Sequence, residues 1–448
     1  MNRLVFLLAT LWVHQNSLGQ IRISTFHVDA SPRIGSPLAY DPTIAIQNPL
    51  SCRGIIIQSS QKPVILCSID WLGVANGSQT EFKEAFAAAA GTTTNRVSIH
   101  AVHQHDAPRC DASAEKILSQ YGYGKKAYDP ILLNRVISRS VEAISKSMRS
   151  AQTVTHLGLG KAAVKMVASN RRILGPDGKV KITRYTATKD PAIRDLPVGT
   201  IDPFLKMISF WNNSKPVAVL TFYATHPQSY YRTGKANVDF PGMARNAREQ
   251  ETGIPHIHFN GAGGNIGAGK WNDGSPGNRK VLAKRVEVAM LTAWNSTERE
   301  VIDANSLKWQ VIESQLPLAR GLDKKTQIAV LEDRNESDSN HLYAAKHLAW
   351  INRTETKQPV SSACLTLNHS KTLLMPGELF VEYQLEAQKM DPHSFVTMAA
   401  YSEYGCGYIG TKIGYSQGGY ETSPRASRVG PGSERILMNA MNKLLGAN

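Results

Sequence analysis

The chain has 448 residues, is 42% hydrophobic and 19% charged, and carries a formal net charge of +15. This is the composition of a globular protein with enough chain to bury a large core, and it excludes a disordered or collagen-like protein. The basic residues are scattered, with no run beyond pairs such as Lys125-Lys126 and Arg171-Arg172. The charge therefore reads as a solvated surface suited to peripheral attraction to an anionic envelope surface, and not to nucleic acid.

Residues 1–19 have the layout of a secretory leader: Arg3, an apolar run from Leu4 to Val13, then Ser17-Leu18-Gly19. The apolar run is too short to span a bilayer, and no later stretch is long enough. The expected organisation is a signal peptide over 1–19 and a domain over 20–448, secreted or periplasmic. Export permits disulfides, but the five cysteines Cys52, Cys67, Cys110, Cys364 and Cys406 leave at least one thiol unpaired. Cys52 with Cys67 is the candidate bridge.

Gly54 to Leu72 reads as two β segments around a Gln-Lys-Pro turn. Ser78, with Glu81 three residues on, predicts a capped helix that Gly91 stops. Arg96 to His103 alternates like a strand. Asp129-Pro130 opens a helix carrying Ile131, Leu132, Val136, Ile137, Val141, Ile144 and Met148 at helical spacing. Gly175-Pro176-Asp177-Gly178 marks a hairpin or surface loop. Paired strands follow over Met207 to Trp211 and Pro216 to Ala224. Helices are predicted over Gly242 to Glu251, Asn278 to Trp294 and Glu378 to Met390, with a strand over Ser394 to Tyr401. The irregular alternation predicts one α+β domain, with mixed β-sheets flanked by helices.

Polar residues at the ends of apolar strands mark the candidate site. His103 and His105 stand two apart and would face one side of a strand, and neutral imidazole suits zinc. His100, on the opposite parity, reads as structural. His226 follows a nearly continuous apolar strand and sits at its C-terminal mouth. The stretch from His258 to Lys270 fits GxxxxGK from Gly264, but Trp271 stands where a phosphate loop needs Ser or Thr. Its glycines suit close approach of backbone to substrate or metal, and the amides of Asn260, Gly261, Gly263, Gly264 and Asn265 could face an oxyanion. Glu378 follows Pro376-Gly377, and a Tyr- and Gly-rich segment runs from Tyr401 to Tyr420.

In order and wording these segments resemble the neutral ceramidase family. HQHDAP, from His103 to Pro108, matches the family's HTHSGP; LTFYATHP matches its strand ending in a zinc-binding His226. Asp239 to Gly242 match its DFPG, and Pro376-Gly377-Glu378 its PGE. Tyr408, with Tyr420-Glu421 twelve residues later, matches its tyrosine segment. The resemblance implies an amide hydrolase acting through a metal-activated water, with an ester within reach of the same chemistry. It implies one Zn2+ per chain held by His103, His226, Glu378 and Tyr408. His105 would serve in proton transfer, and Tyr408 could instead bond the oxyanion. The implied substrate is a small-molecule or lipid-like amide.

Three departures matter. The family's GDVSPN loop aligns with Asn260 to Asn265, where its Asp and Ser are missing, so metal-bound hydroxide chemistry survives and an acyl-serine route does not. Asp106 replaces the Ser of HTHSGP and could orient a histidine through a hydrogen bond. No counterpart of the family's C-terminal immunoglobulin-like domain follows Glu421. These bear on ceramide as the substrate and leave hydrolysis untouched. Two other readings stand beside it. One is a catalytically inactive ceramidase-like binding protein. The other is a hydrolase of envelope polymers or glycans, with Asp106, Arg109 and Arg172 at its mouth.

Overall fold

Alternation of apolar side chains along Ser51–Gln58 and Val64–Ile69 gives a sheet that is buried on both faces. In the computed structural model, which describes residues 20–446, these two strands form an antiparallel pair at the heart of a five-stranded sheet. The leader expected over 1–19 lies outside the described residues. Ile56, Ile65, Cys67 and Ile99 face one way, onto Phe82 and Phe86 of the helix Asn76–Ala90 and Leu132, Val136 and Ile144 of the helix Pro130–Arg149. Ile55, Ile57 and Leu66, one residue out of phase, face the other way onto a second five-stranded sheet. There Ile208 and Phe210 point inward, while Leu205 and Met207 meet helices Asp239–Thr252 and Pro276–Asn295. The period of two thus builds a stack of helices, sheet, sheet and helices. A third, four-stranded sheet adds Ala363, Leu365 and Leu374 to the same inner layer. Its opposite side packs on helices Val381–Met390 and Ser433–Leu445. The α+β class with mixed sheets holds.

Each sheet ends in a parallel pair: Val64–Ile69 with Val97–Ala101, Lys215–Tyr223 with His256–Asn260, and Ser370–Leu374 with Phe395–Ala399. The three outer strands of these pairs meet. The amide of Ala400 donates to the Asn260 carbonyl, and the amide of Ala101 to that of Tyr401. Their C-terminal ends open on one place.

Several local expectations need correction. The helix expected to start at Ser78 begins at Asn76 without a side-chain cap; the Ser78 hydroxyl is buried and accepts from the amide of Ala112. Ile131 is exposed, because Leu132 and Leu133 take the inward face. Cys52 and Cys67 lie side by side with sulfurs 3.5 Å apart, yet all five thiols are free and buried. The hairpin around Gly175 to Gly178 forms, between Arg172–Leu174 and Val180–Thr183. No helix among the described residues is long and apolar enough to cross a membrane.

His100 and His258 are buried between the layers. Burial is the main cause that lowers each of them to about 3, helped by His258 at His100 and by Arg245 at His258. The native state therefore refuses protons that the unfolded chain accepts below pH ~6.5. Their contribution is complete above that pH and declines as pH falls toward about 3, by about 1.4 kcal/mol per unit for each imidazole. Urea unfolding at pH 7, 6 and 5 should show this slope, and His258→Gln should flatten it; an equal slope in the variant would refute the assignment.

Candidate metal centre

The candidate site lies just past those strand ends. The strand before the first two histidines stops at Ala101, so His103 and His105 are not presented by strand parity as the sequence suggested. His103 instead has φ +78, a left-handed backbone rarely adopted by non-glycine residues. Its amide donates to the Trp71 carbonyl, and its Nδ1–H to that of Leu72 at 2.6 Å. The turn swings both rings into one place, with centroids 4.9 Å apart. His226 enters from the second sheet, its Nδ1–H donating to the Gly263 carbonyl at 2.8 Å. Glu378 does not begin a helix. It sits in a two-residue strand paired in parallel with Tyr408, and the helix starts at Val381. Gly377, at φ +67, makes that approach feasible, since a side chain there would crowd Cys406 and Gly407.

Glu378 Oε2 lies 3.3 Å from His103 Nε2 and 3.4 Å from His226 Nε2, and Tyr408 Oη lies 3.1 Å from His226 Nε2. Tyr404 donates to the other oxygen, Oε1, at 2.8 Å. Burial alone would raise the Glu378 carboxyl, but His103 and His226 outweigh it and hold it well below the carboxylate range. Burial and the Arg171 charge lower His226 to about 4, and burial with His103 and His226 beside it carries His105 well below its ordinary value. The Tyr408 phenol is pushed up, by burial first and by Glu378 next.

Among the buried atoms here without a hydrogen-bond partner are His103 Nε2, His105 Nε2 and Glu378 Oε2. Such atoms are costly unless something binds them. The ring nitrogens of His103, His105 and His226 all fall within 4.8 Å of one another, a spacing compatible with a shared cation. The donor chemistry, imidazole and carboxylate, suits zinc. Hydrogen bonding divides the three rings. His103 and His226 give their Nδ1 protons to carbonyls, so each carries its lone pair on Nε2; that of His103 has no partner, and that of His226 faces Tyr408 Oη. His105 Nδ1 accepts from Gln228 Nε2 and faces Tyr40 Oη, each at 3.0 Å, so its neutral form carries the proton on Nε2.

Other expected site residues lie elsewhere. Asp106 touches no histidine: its carboxylate accepts from the amide and hydroxyl of Thr233 and lies 3.6 Å from Arg279. It ties down a loop. Arg172 pairs with Glu421 at 3.0 Å and donates to the Gly414 carbonyl, turned away from the imidazoles. Its neighbour Arg171 holds the place instead, 3.3 Å from His226 Nε2, 3.5 Å from Tyr408 Oη and ion-paired to Glu421 at 2.9 Å. The sequence singled out the Arg pair but carried no signal for which member turns inward. Tyr40, Gln228, Tyr401 and Tyr404 were likewise missed, and only the tyrosine-rich composition of the last segment hinted at the latter two.

Several amides of the glycine loop are engaged within the protein, that of Asn260 by His100 Nε2. The amides of Gly261 and Gly264 donate to the carbonyls of Tyr223 and Leu379. Asn260 Oδ1 accepts from the Thr225 amide, and Asn265 Oδ1 from that of Val381. The loop is a spacer: a Cβ on Gly264 would overlap the Glu378 carbonyl oxygen, and one on Gly263 would lie 2.9 Å from the Thr225 backbone. The serine absent from position 263 has no room there.

No family model and no curated protein matches the chain. Among solved structures it is similar to the neutral ceramidase from Pseudomonas aeruginosa, with a TM-score of 0.70 and 14% identity over 95% of this chain and 74% of that one. A ceramidase complexed with C2 gives a TM-score of 0.70 and 13% identity, over 95% and 75%. The fold is that of the ceramidases. Within this fold His103, His105, Glu378 and Tyr408 line one pocket, and His226 adjoins it through Glu378 and Tyr408.

Proposed function

We propose that the chain is an exported, zinc-dependent hydrolase that cleaves an amide bond. His103, His226, Glu378 and Tyr408 would hold the metal. The observation that carries this is the convergence of two imidazole Nε2 atoms, that of His103 without a hydrogen-bond partner and that of His226 facing Tyr408, on a buried carboxylate oxygen that itself has no hydrogen-bond partner. Zinc at such a site lowers the pKa of a bound water to about 7 and polarises a carbonyl. Hydrolysis breaks the C–N bond, forms a C–O bond and carries one proton from water to the departing amine. His105 would serve in that transfer, with Gln228 and Tyr40 bonding its Nδ1 and its Nε2 without a protein partner. Arg171, anchored by Glu421, donates to Tyr408 and keeps positive charge beside the reacting carbonyl. The leader-like layout of residues 1–19 supports export.

Metal analysis of the purified protein, followed by a screen of N-acyl amides with and without chelator, tests the reading. About one zinc per chain and chelator-sensitive cleavage are expected. A protein that binds no stoichiometric metal would favour the inactive binding form. Replacing His105 with alanine should leave zinc in place and slow turnover by about 100- to 10,000-fold. Loss of the metal in that variant would make His105 a ligand.

A further inference from the structure

The pocket beside the metal centre holds about 60 Å³ and opens toward a larger cleft of about 630 Å³. Tyr40, Arg109, Tyr343 and Arg425 line both, so the narrow pocket is the inner end of the wide one. Against one carboxylate, Glu378, the inner pocket sets four cations: Arg109, Lys346, Arg425 and Arg428. None of the four makes an ion pair among the described residues, where seventeen other close pairs occur. Arg428 is 3% exposed, and a carbonyl, that of Gly405, is the acceptor it reaches. Its Nε, like the Nε of Arg109, is buried without a partner. Arg425 stacks on Tyr343 at 3.8 Å.

Buried guanidinium groups are normally matched by carboxylates, because an uncompensated charge is costly away from water. Asp111 and Glu378, whose charges reach Lys346, are engaged elsewhere: Asp111 by Asn76 and the amide of Ala114, Glu378 by Tyr404 and two imidazoles. Burial, with Arg428 and Arg109 close by, pushes the Lys346 ammonium well below its ordinary value, as expected where cations crowd without a counter-charge.

We propose that the substrate is an amide bearing an anionic group a few bonds from the scissile carbon, with Arg109, Lys346 and Arg428 receiving that group in the inner pocket. This rests on the hydrolase reading and specifies its substrate class. A space of 60 Å³ takes a carboxylate and a short spacer, and the outer cleft takes the remainder.

The test uses the zinc-loaded full chain with N-hexanoylglycine and N-hexanoylethanolamine, which match in length and differ in one charge. The glycine conjugate should be cleaved with a kcat/KM at least about tenfold higher, a preference that shrinks as salt rises. Lys346→Gln and Arg109→Gln should each reduce that preference by about tenfold, because a charge-assisted hydrogen bond is lost. Equal efficiency for the two amides in the wild type would overturn the proposal and leave the hydrolase reading intact. Calorimetric binding of N-hexanoylglycine supplies a readout without turnover. Binding that the two variants abolish, with neither amide cleaved, would support the anion site and defeat the hydrolase reading. Binding equally strong in both variants would place the carboxylate on the metal and overturn the proposal.

Discussion

Replacing His226 with alanine is expected to empty the metal site and bring amide hydrolysis to background. The His226 ring holds its Nδ1 proton on the Gly263 carbonyl and presents Nε2 to Glu378 and Tyr408, so its removal deletes a donor and uncouples two others. Loss of a partner that merely orients a ligand weakens metal binding about 10- to 100-fold, and loss of a ligand should exceed that. Zinc measured after dialysis against buffer should fall from one per chain to a trace, while circular dichroism stays native. Full occupancy in the variant would refute the ligand assignment, and with it the centre built on His103, Glu378 and Tyr408.

The second large effect is expected at Asp70, which touches no candidate ligand. Asp70 is wholly buried at the end of Val64–Ile69. Arg245 grips it with two nitrogens at 2.7 and 2.9 Å, Ser51 donates to it from amide and hydroxyl, and Gln104 donates at 3.0 Å. Burial by itself would raise this carboxyl, but Arg245 dominates and keeps it ionised far below the usual range. Asp70→Ala would strand the Arg245 charge in the core, and losing one partner of such a pair costs about 3–5 kcal/mol. It would also leave Gln104, which stands between His103 and His105, with only its longer bond to the Val238 carbonyl at 3.3 Å. Urea unfolding should show the lost stability and a zinc titration a weakened site. Adding Arg245→Met should recover part of the stability but not the zinc affinity. A single variant within about 1 kcal/mol of wild type would show that the pair does not hold this loop.

The helices were most legible where a local signal was redundant. Asp129 and Pro130 start the helix Pro130–Arg149, and the Asp129 carboxylate accepts from the amides of Ile131 and Leu132 as its position suggested. Gly91 ends the helix Asn76–Ala90 in the left-handed conformation. Ser78 misled because a hydroxyl near a helix start can serve a distant partner, here the amide of Ala112, as readily as its own helix. The strand Phe204–Asn212 was legible with its partner Lys215–Tyr223 because the turn between them is local. The joining of three sheets edge to edge was not, since it depends on contacts such as the Ala400 amide on the Asn260 carbonyl, far apart in the chain.

The motifs by themselves determined which residues to watch: His103, His105, His226, Glu378 and Tyr408 are side chains whose chemistry suits a metal at the ends of apolar segments, and the structure brings all five together. Only the tertiary structure decided their division of labour. Which imidazole nitrogen is free depends on carbonyls and amides from Leu72, Gly263 and Gln228, and these arrive from separate segments. The same holds for Arg171 over Arg172 and for the cations around Arg428. Charge and hydrogen-bond donors are written locally, but whether each finds a partner is settled only when the chain closes around it.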